Sequence, residues 1–158
     1  MKKTIAWLFS TPINGDKEII ILRLMAGGVF LSEGILKFVY TNQGVGRFTK
    51  LGFPIPELTA QTIGSLEIIG GLFLIFGLFT RITSFYFVLE MIVAILTTKV
   101  ALYLGTSPLP LPPAPPKVGI WAVLHEIRSD YAQLLVCLFL VLVGPGIRSL
   151  DHYLKKNK

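Results

Sequence analysis

The stretch Gly64-Ser-Leu-Glu-Ile-Ile-Gly-Gly-Leu-Phe-Leu-Ile-Phe-Gly-Leu-Phe-Thr-Arg81 decides how this chain folds. With the residues from Leu58 it is long enough to cross a bilayer, which takes roughly 20 mostly apolar residues as a helix. Within it lies one carboxylate, Glu67. At about 1.5 Å per residue, that places the acid on the order of 13 Å from the start of the span. A charge at such depth is costly and needs a partner, a proton or water. Gly64 and Gly71 stand three before and four after Glu67, so the three share one helical face. Small residues allow another backbone close, and the carboxylate lies on that approach surface. The acid is therefore expected to face a helix bundle rather than lipid.

The composition agrees. Of 158 residues, 53% are hydrophobic and 15% charged, against about a quarter charged in soluble domains. A single membrane domain over 1–158 is expected, all-α, a polytopic four-helix bundle. The net charge of +6 does not mark a nucleic-acid binder, because the cations sit at chain ends and in loops. They read as topology determinants and contacts to membrane lipid. One cysteine, Cys137, excludes an internal disulfide and a Cys-x-x-Cys redox centre. His125 and His152 are too few and too distant for a recognisable metal set, and no haem, flavin or iron–sulfur signature is visible.

Around the central stretch the remaining segments fall into place. Residues 1–11 read as an interfacial helix with Ile5, Leu8 and Phe9 on one face, the apolar run being too short for a cleaved leader. A first span covers about 19–40, with Arg23, Gly27, Phe30, Gly34 and Lys37 along one stripe and Glu33 at its edge. Glu33 and Lys37 stand at i, i+4 in the favourable order for an ion pair. A loop over 41–57 carries Gly44, Gly46, Gly52, Pro54 and Pro56, which block regular structure. The second span, 58–79, and the third, 82–104, are separated by a tight turn and form an antiparallel hairpin. Tyr86, Glu90, Ala94 and Thr97 share a face of the third span, with Glu90 nearer mid-membrane than the other acids. Lys99 points the opposite way and snorkels to head groups. Residues 105–117 form a Pro-rich outer loop, read as a stiff spacer. A short helix with His125 and Glu126 follows, and then a last span, 131–143, with Gln133 and Cys137 on one face.

Four spans put both termini on one side, together with Arg81. That side holds Lys2, Lys3, Lys17, Arg148, Lys155, Lys156 and Lys158, and the other holds Arg47, Lys50, Lys117 and Arg128. The positive-inside rule then makes the termini cytoplasmic. Glu33, Lys37, Glu67 and Glu90 converge from three helices toward one cavity, with His125 and Glu126 over its mouth. Carboxylates crowded in low dielectric can take up and release protons near neutrality. The bland alternative is polar glue between helices. Cys137 reads as a small buried hydrophobe, and Arg81 as a head-group anchor or helix cap.

The order of Arg23-Leu-Met-Ala-Gly27, Gly34-Ile-Leu-Lys37, Gly52-Phe-Pro-Ile-Pro56, Gly64-x-x-Glu67-x-x-Gly70-Gly71, Gly77-Leu-Phe-Thr-Arg81, Glu90-Met and Gly144-Pro-Gly-Ile-Arg-Ser-Leu-Asp151 resembles the DoxX family. The resemblance covers nearly the whole chain. It implies a four-helix protein of the bacterial inner membrane, associated with redox and oxidative-stress systems and acting beside soluble redox-protein partners. The family positions matched are Arg23, Lys37, Glu67, Arg81, Glu90 and Asp151.

The expected site assigns acid–base work to Glu67 and Glu90, and ligand binding to Arg23, Glu33, Lys37, His125 and Glu126. Gly64, Gly71, Arg81 and Asp151 take structural roles, and no metal is expected. The expected function is a redox-associated subunit holding a quinone or small polar molecule in a Glu/Lys-lined cavity. A non-enzymatic scaffold for soluble redox enzymes and a small transporter are the alternatives. Whether the chain is an enzyme by itself, and whether it forms a homo-oligomer, is left open by the residues.

Overall fold

The computed structural model describes Trp7 and residues 15–156. Apart from Trp7, the interfacial helix expected over 1–11 lies outside the described residues. The described chain is all-α, with seven helices. Three of them, α1 (Ile19–Val39), α3 (Pro56–Phe76) and α4 (Thr80–Leu104), are long and apolar enough to cross a membrane. Between the first two lies the short α2 (Val45–Lys50), and α5 (Ile120–Glu126), α6 (Arg128–Val143) and α7 (Leu150–Lys156) follow.

α1 and α3 make the tightest pair, because glycines remove the side chains between them. A Cβ on Gly27 would meet the Gly71 carbonyl oxygen at 2.7 Å, and one on Gly34 would meet that of Gly64 at 2.8 Å. The two contacts run in opposite chain order, so the helices are antiparallel and touch at two points two turns apart. α4 packs chiefly on α6, and the two helix pairs join through Phe30 and Phe87, whose rings stack with centroids 3.6 Å apart. The expected hairpin of the second and third spans is thus corrected in part. α3 and α4 are consecutive and antiparallel, but each is packed mainly against another helix and the two separate above their turn. Glycine faces explain this: Gly64 and Gly71 draw α3 to α1, leaving Gly70 to contact Phe87 of α4.

The α3–α4 turn is held by the C-terminal segment. Gly77 ends α3 with φ +69°, a left-handed conformation that suits glycine. Phe79 is also left-handed, at φ +49°, which is unfavourable for a side chain with a Cβ. Asp151 offsets this by accepting hydrogen bonds from the Phe79 N–H at 2.8 Å and the Thr80 N–H at 3.0 Å. Its own N–H donates to the Gly77 carbonyl at 2.9 Å. α7, which carries Asp151, was not legible as a helix beforehand. At the same end Arg23, 1% exposed, donates from its guanidinium to the Arg148 carbonyl. Arg81 donates to the carbonyls of Leu142 at 3.2 Å and Trp7 at 3.3 Å, with its guanidinium 4.4 Å from the Trp7 ring centroid. Arg81 therefore ties chain segments together, and the start of α1, the α3–α4 turn and the segment after α6 share one end of the bundle.

At the opposite end three expectations change. The 41–57 loop contains α2, which turns Phe48 into the protein, edge-on to Phe53 at 5.3 Å. Burial of that ring outweighs the breaking effect of the flanking glycines. Lys99 does not reach away from the protein. Its ammonium lies 3.3 Å from an Asp130 carboxylate oxygen with 15% of the side chain exposed, because an ion pair satisfies the charge without extending the stem. The helix expected as a fourth span over 131–143 begins earlier, at Arg128, and is not among the three candidate spans. Ile127, between α5 and α6, keeps helical backbone angles, donates to Val123 and accepts from Tyr131. Ile120 to Val143 is thereby one nearly continuous helical path of about 36 Å. The break at Ile127 leaves α6 with 16 residues, shorter than the three candidate spans, and Glu126, Arg128 and Asp130 interrupt the apolar run.

Candidate functional site

Where α3 and α4 diverge, a cavity of about 450 Å³ opens between the two helix pairs. Its most deeply placed polar groups come from four helices, with Arg47 of α2 added at its edge. Lys37 comes from α1, Glu67 from α3, Tyr86 and Glu90 from α4, and Gln133 from α6. The shared depth of Glu67 and Glu90 follows from chain geometry. They stand 12 residues before and 11 after Phe79, so an antiparallel pair of helices returns them to one level, on the order of 17 Å above the turn. Glu90 is thus not nearer the centre than Glu67.

The central contact is an ion pair. Lys37 Nζ lies 2.6 Å from Glu67 Oε2, with the two side chains 12% and 4% exposed. This replaces the expected Glu33–Lys37 pair. The glycine contacts bring α3 so close to α1 that Glu67 reaches Lys37 directly, while Glu33 remains exposed on the cavity lining. Glu67, Glu90 and the Tyr86 phenol lie close enough to interact electrostatically. The unit is an ammonium, two acids and a phenol on one cavity.

Two lining atoms lack a protein partner among the described residues: Glu90 Oε2 and Gln133 Oε1. Buried polar atoms are nearly always hydrogen-bonded, so unpartnered ones in a cavity mark where a ligand or water would be held. The volume falls within the usual 300–1,000 Å³ range of small-molecule sites. Apolar side chains, including Phe30, Phe48, Leu89 and Met91, alternate in the walls with further polar ones, among them Arg47, Thr97 and Asp130.

Of the predicted site residues, Glu33, Lys37, Glu67 and Glu90 come together here. Arg23 does not, lying at the far end against Arg148. The helical stripe could not separate it from Lys37, because both share a face but stand almost four turns apart. His125 is exposed on α5 and lines neither this cavity nor its neighbour. Its carbonyl accepts from Arg128. Glu126 lines a separate cavity. Gly64 and Gly71 form the α1–α3 contact, and Arg81 and Asp151 the closure of the opposite end. Cys137 is fully buried in the core. Sequence reasoning placed Tyr86 and Gln133 on the right faces without giving them a role. A buried amide on an otherwise apolar span was the signal available for Gln133.

Comparison with known proteins fits this architecture. The DoxX family model matches residues 19–100, from α1 through most of α4, including Lys37, Glu67, Tyr86 and Glu90. A Mycobacterium tuberculosis protein named "Uncharacterized membrane protein Rv3486" is 37% identical over 158 residues, covering 96% of this chain and 90% of that protein. A Bacillus subtilis protein named "Putative oxidoreductase CatD" is 30% identical over 140 residues, covering 88% of each. No solved structure matches. With its multi-pass helices and a family match running through the ion pair and both acids, the chain belongs to the DoxX family of membrane proteins.

Proposed function

We propose that this protein is a redox-associated subunit of the bacterial cytoplasmic membrane that binds a quinone-like ring compound in the inner cavity and exchanges protons with it. The observation that carries this is the convergence of Lys37, Glu67, Tyr86, Glu90 and Gln133 on one cavity, with Glu90 Oε2 and Gln133 Oε1 lacking partners among the described residues and able to accept from the hydroxyls of the reduced ring. The oxidoreductase name of the Bacillus subtilis relative supports the class of chemistry.

The donor set fits a quinone. Its two carbonyl oxygens call for hydrogen-bond donors, and the Lys37 ammonium, Tyr86 hydroxyl and Gln133 amide are donors on different walls. A charge-assisted bond from Lys37 is the strongest of these. When bound, a quinone supplies two-electron chemistry, and its reduction consumes two protons. Glu90 would give one proton from its carboxyl, and the Lys37 ammonium, held by the Glu67 carboxylate, would give the second. Phe30 and Phe48 exclude water from the ring's surroundings. Electrons come from a soluble redox partner.

The positive-inside distribution supports cytoplasmic termini, with α2 and the Pro-rich segment outward and Ile120–Val143 as a fourth crossing. Transport through the bundle is disfavoured, because the end opposite the cavity is filled by Arg23, Thr80, Ser84 and Pro145, all fully buried.

The test is titration of purified detergent-solubilised protein with 1,4-naphthoquinone by calorimetry. Saturable binding is expected, weakened at least tenfold by Gln133→Leu and Lys37→Gln in folded protein. Lack of saturable binding, or wild-type affinity in both variants, would overturn the assignment.

A further inference from the structure

A second cavity, of about 430 Å³, lies outward of the first, between α2, the outer turns of α4 and the Pro-rich segment. Three cations line it, Arg47, Lys50 and Lys99, against one acid, Glu126. Lys99 is already neutralised by Asp130. Arg47 and Lys50 have no carboxylate within ion-pair distance among the described residues, so the cavity retains positive charge. Leu109, Pro110, Leu111, Pro112 and Pro113 also line it. An uncharged wall of this kind lowers the local dielectric and strengthens the field of the cations beneath it. The two cavities share Gln43, Arg47 and Thr98 as lining residues. Arg47 therefore borders both cavities.

We propose that the outer cavity is an anion-accepting antechamber. It holds the sulfonate, carboxylate or phosphate of a ligand whose uncharged ring passes Arg47 into the inner cavity. The inference rests on the inner cavity being a ligand site, and it adds the class of ligand: a ring compound bearing an acidic group. Arg47 offers the planar fork that matches such groups in a bidentate manner, and Lys50 adds a mobile point charge. The Pro-rich segment is then a wall of the binding compartment. Uncharged compounds would use the inner cavity alone and bind more weakly.

Three probes separate the cases in purified full-length protein in neutral detergent. These are 1,4-naphthoquinone, 1,4-naphthoquinone-2-sulfonate and 2-naphthalenesulfonate. At low ionic strength the sulfonated quinone is expected to bind at least tenfold more tightly than the neutral one, and this advantage should shrink as salt is raised. Lys50→Gln, at an exposed position lining the outer cavity alone, should remove most of the advantage while leaving the neutral quinone within twofold. Arg47→Lys should weaken the sulfonate by less than Arg47→Gln does. Equal affinities for the two quinones in wild type, or a parallel loss of both in Lys50→Gln, overturns the antechamber. If 2-naphthalenesulfonate binds with Lys50 dependence while neither quinone gains from its carbonyls, the anion site stands and the quinone assignment falls. Displacement of the sulfonated probes by phosphatidylglycerol vesicles, and not by phosphatidylcholine vesicles, would identify the natural acid as a lipid head group. Failure of both vesicles to displace them would identify it as a free anion, and either result retains the site.

Discussion

Lys37 on α1 and Glu67 on α3 form an ion pair of 2.6 Å at the point where the two helices are held together by Gly34 and Gly64. Removing one partner strands the other's charge in a medium that solvates it poorly, at a cost of about 3–5 kcal/mol. Lys37→Met and Glu67→Leu should each lower the thermal midpoint in detergent. The double variant should recover much of the loss, because an apolar pair leaves no charge behind. Strict additivity of the two losses in a double-mutant cycle would show that the residues are not coupled.

The glycine contacts have opposite predicted signs at neighbouring positions. A Cβ at Gly71 would lie 2.7 Å from the Leu31 backbone nitrogen and 2.8 Å from the Gly27 oxygen, neither of which can move alone. Gly71→Ala should therefore cost about 1–3 kcal/mol by overpacking. Nothing lies within 4 Å of a Cβ at Gly28. Gly28→Ala should be neutral or raise stability by up to about 1 kcal/mol through helix propensity. Thermal unfolding of the two variants side by side decides this, and equal effects would refute the backbone contact.

Asp151 is the second fastening. Its carboxylate accepts two backbone N–H bonds at a turn where Phe79 is left-handed. Asp151→Ala should cost about 1–3 kcal/mol, since two donors lose their acceptor and the strained residue loses its tether. Susceptibility of the Leu78–Phe79 region to proteolysis should rise while affinity for a ligand of the inner cavity changes little. A large fall in affinity with an intact turn would place Asp151 in the wrong role.

The orientation across the membrane can be read with cysteines. In a Cys137→Ser background, Lys117→Cys in the outer segment should react with an impermeant maleimide in intact cells. Lys158→Cys should react after lysis alone. The reverse pattern would invert the protein and place both cavities on the cytoplasmic side.

Much of the helix arrangement was legible because it rests on periodicity. The stripe of Arg23, Gly27, Phe30 and Gly34 is the buried face of α1, and Gly64, Glu67 and Gly71 are the buried face of α3. Tyr86, Glu90, Ala94 and Thr97 all line the inner cavity. Other features escaped because they depend on contacts between distant segments. Lys99 looked like a snorkelling residue until Asp130, from another helix, came within reach. Arg23 and Lys37 shared one stripe, yet helical phase gives angle and not depth relative to partners, and the two belong to opposite ends. α2 was hidden because its reason to exist is the burial of Phe48 rather than local propensity.

From the order of its residues alone, this chain was determined to be a helical membrane protein with small residues and acids turned inward. Those properties follow from local spacing and from the cost of placing charge or bare backbone in hydrocarbon. Which cation meets which acid was decided by the tertiary structure. So was the separation of α3 from α4 into a cavity, and the place of the Pro-rich segment beside a second one. Such outcomes depend on the distance between helices, which is set where glycines let two backbones touch and aromatic rings hold two others apart.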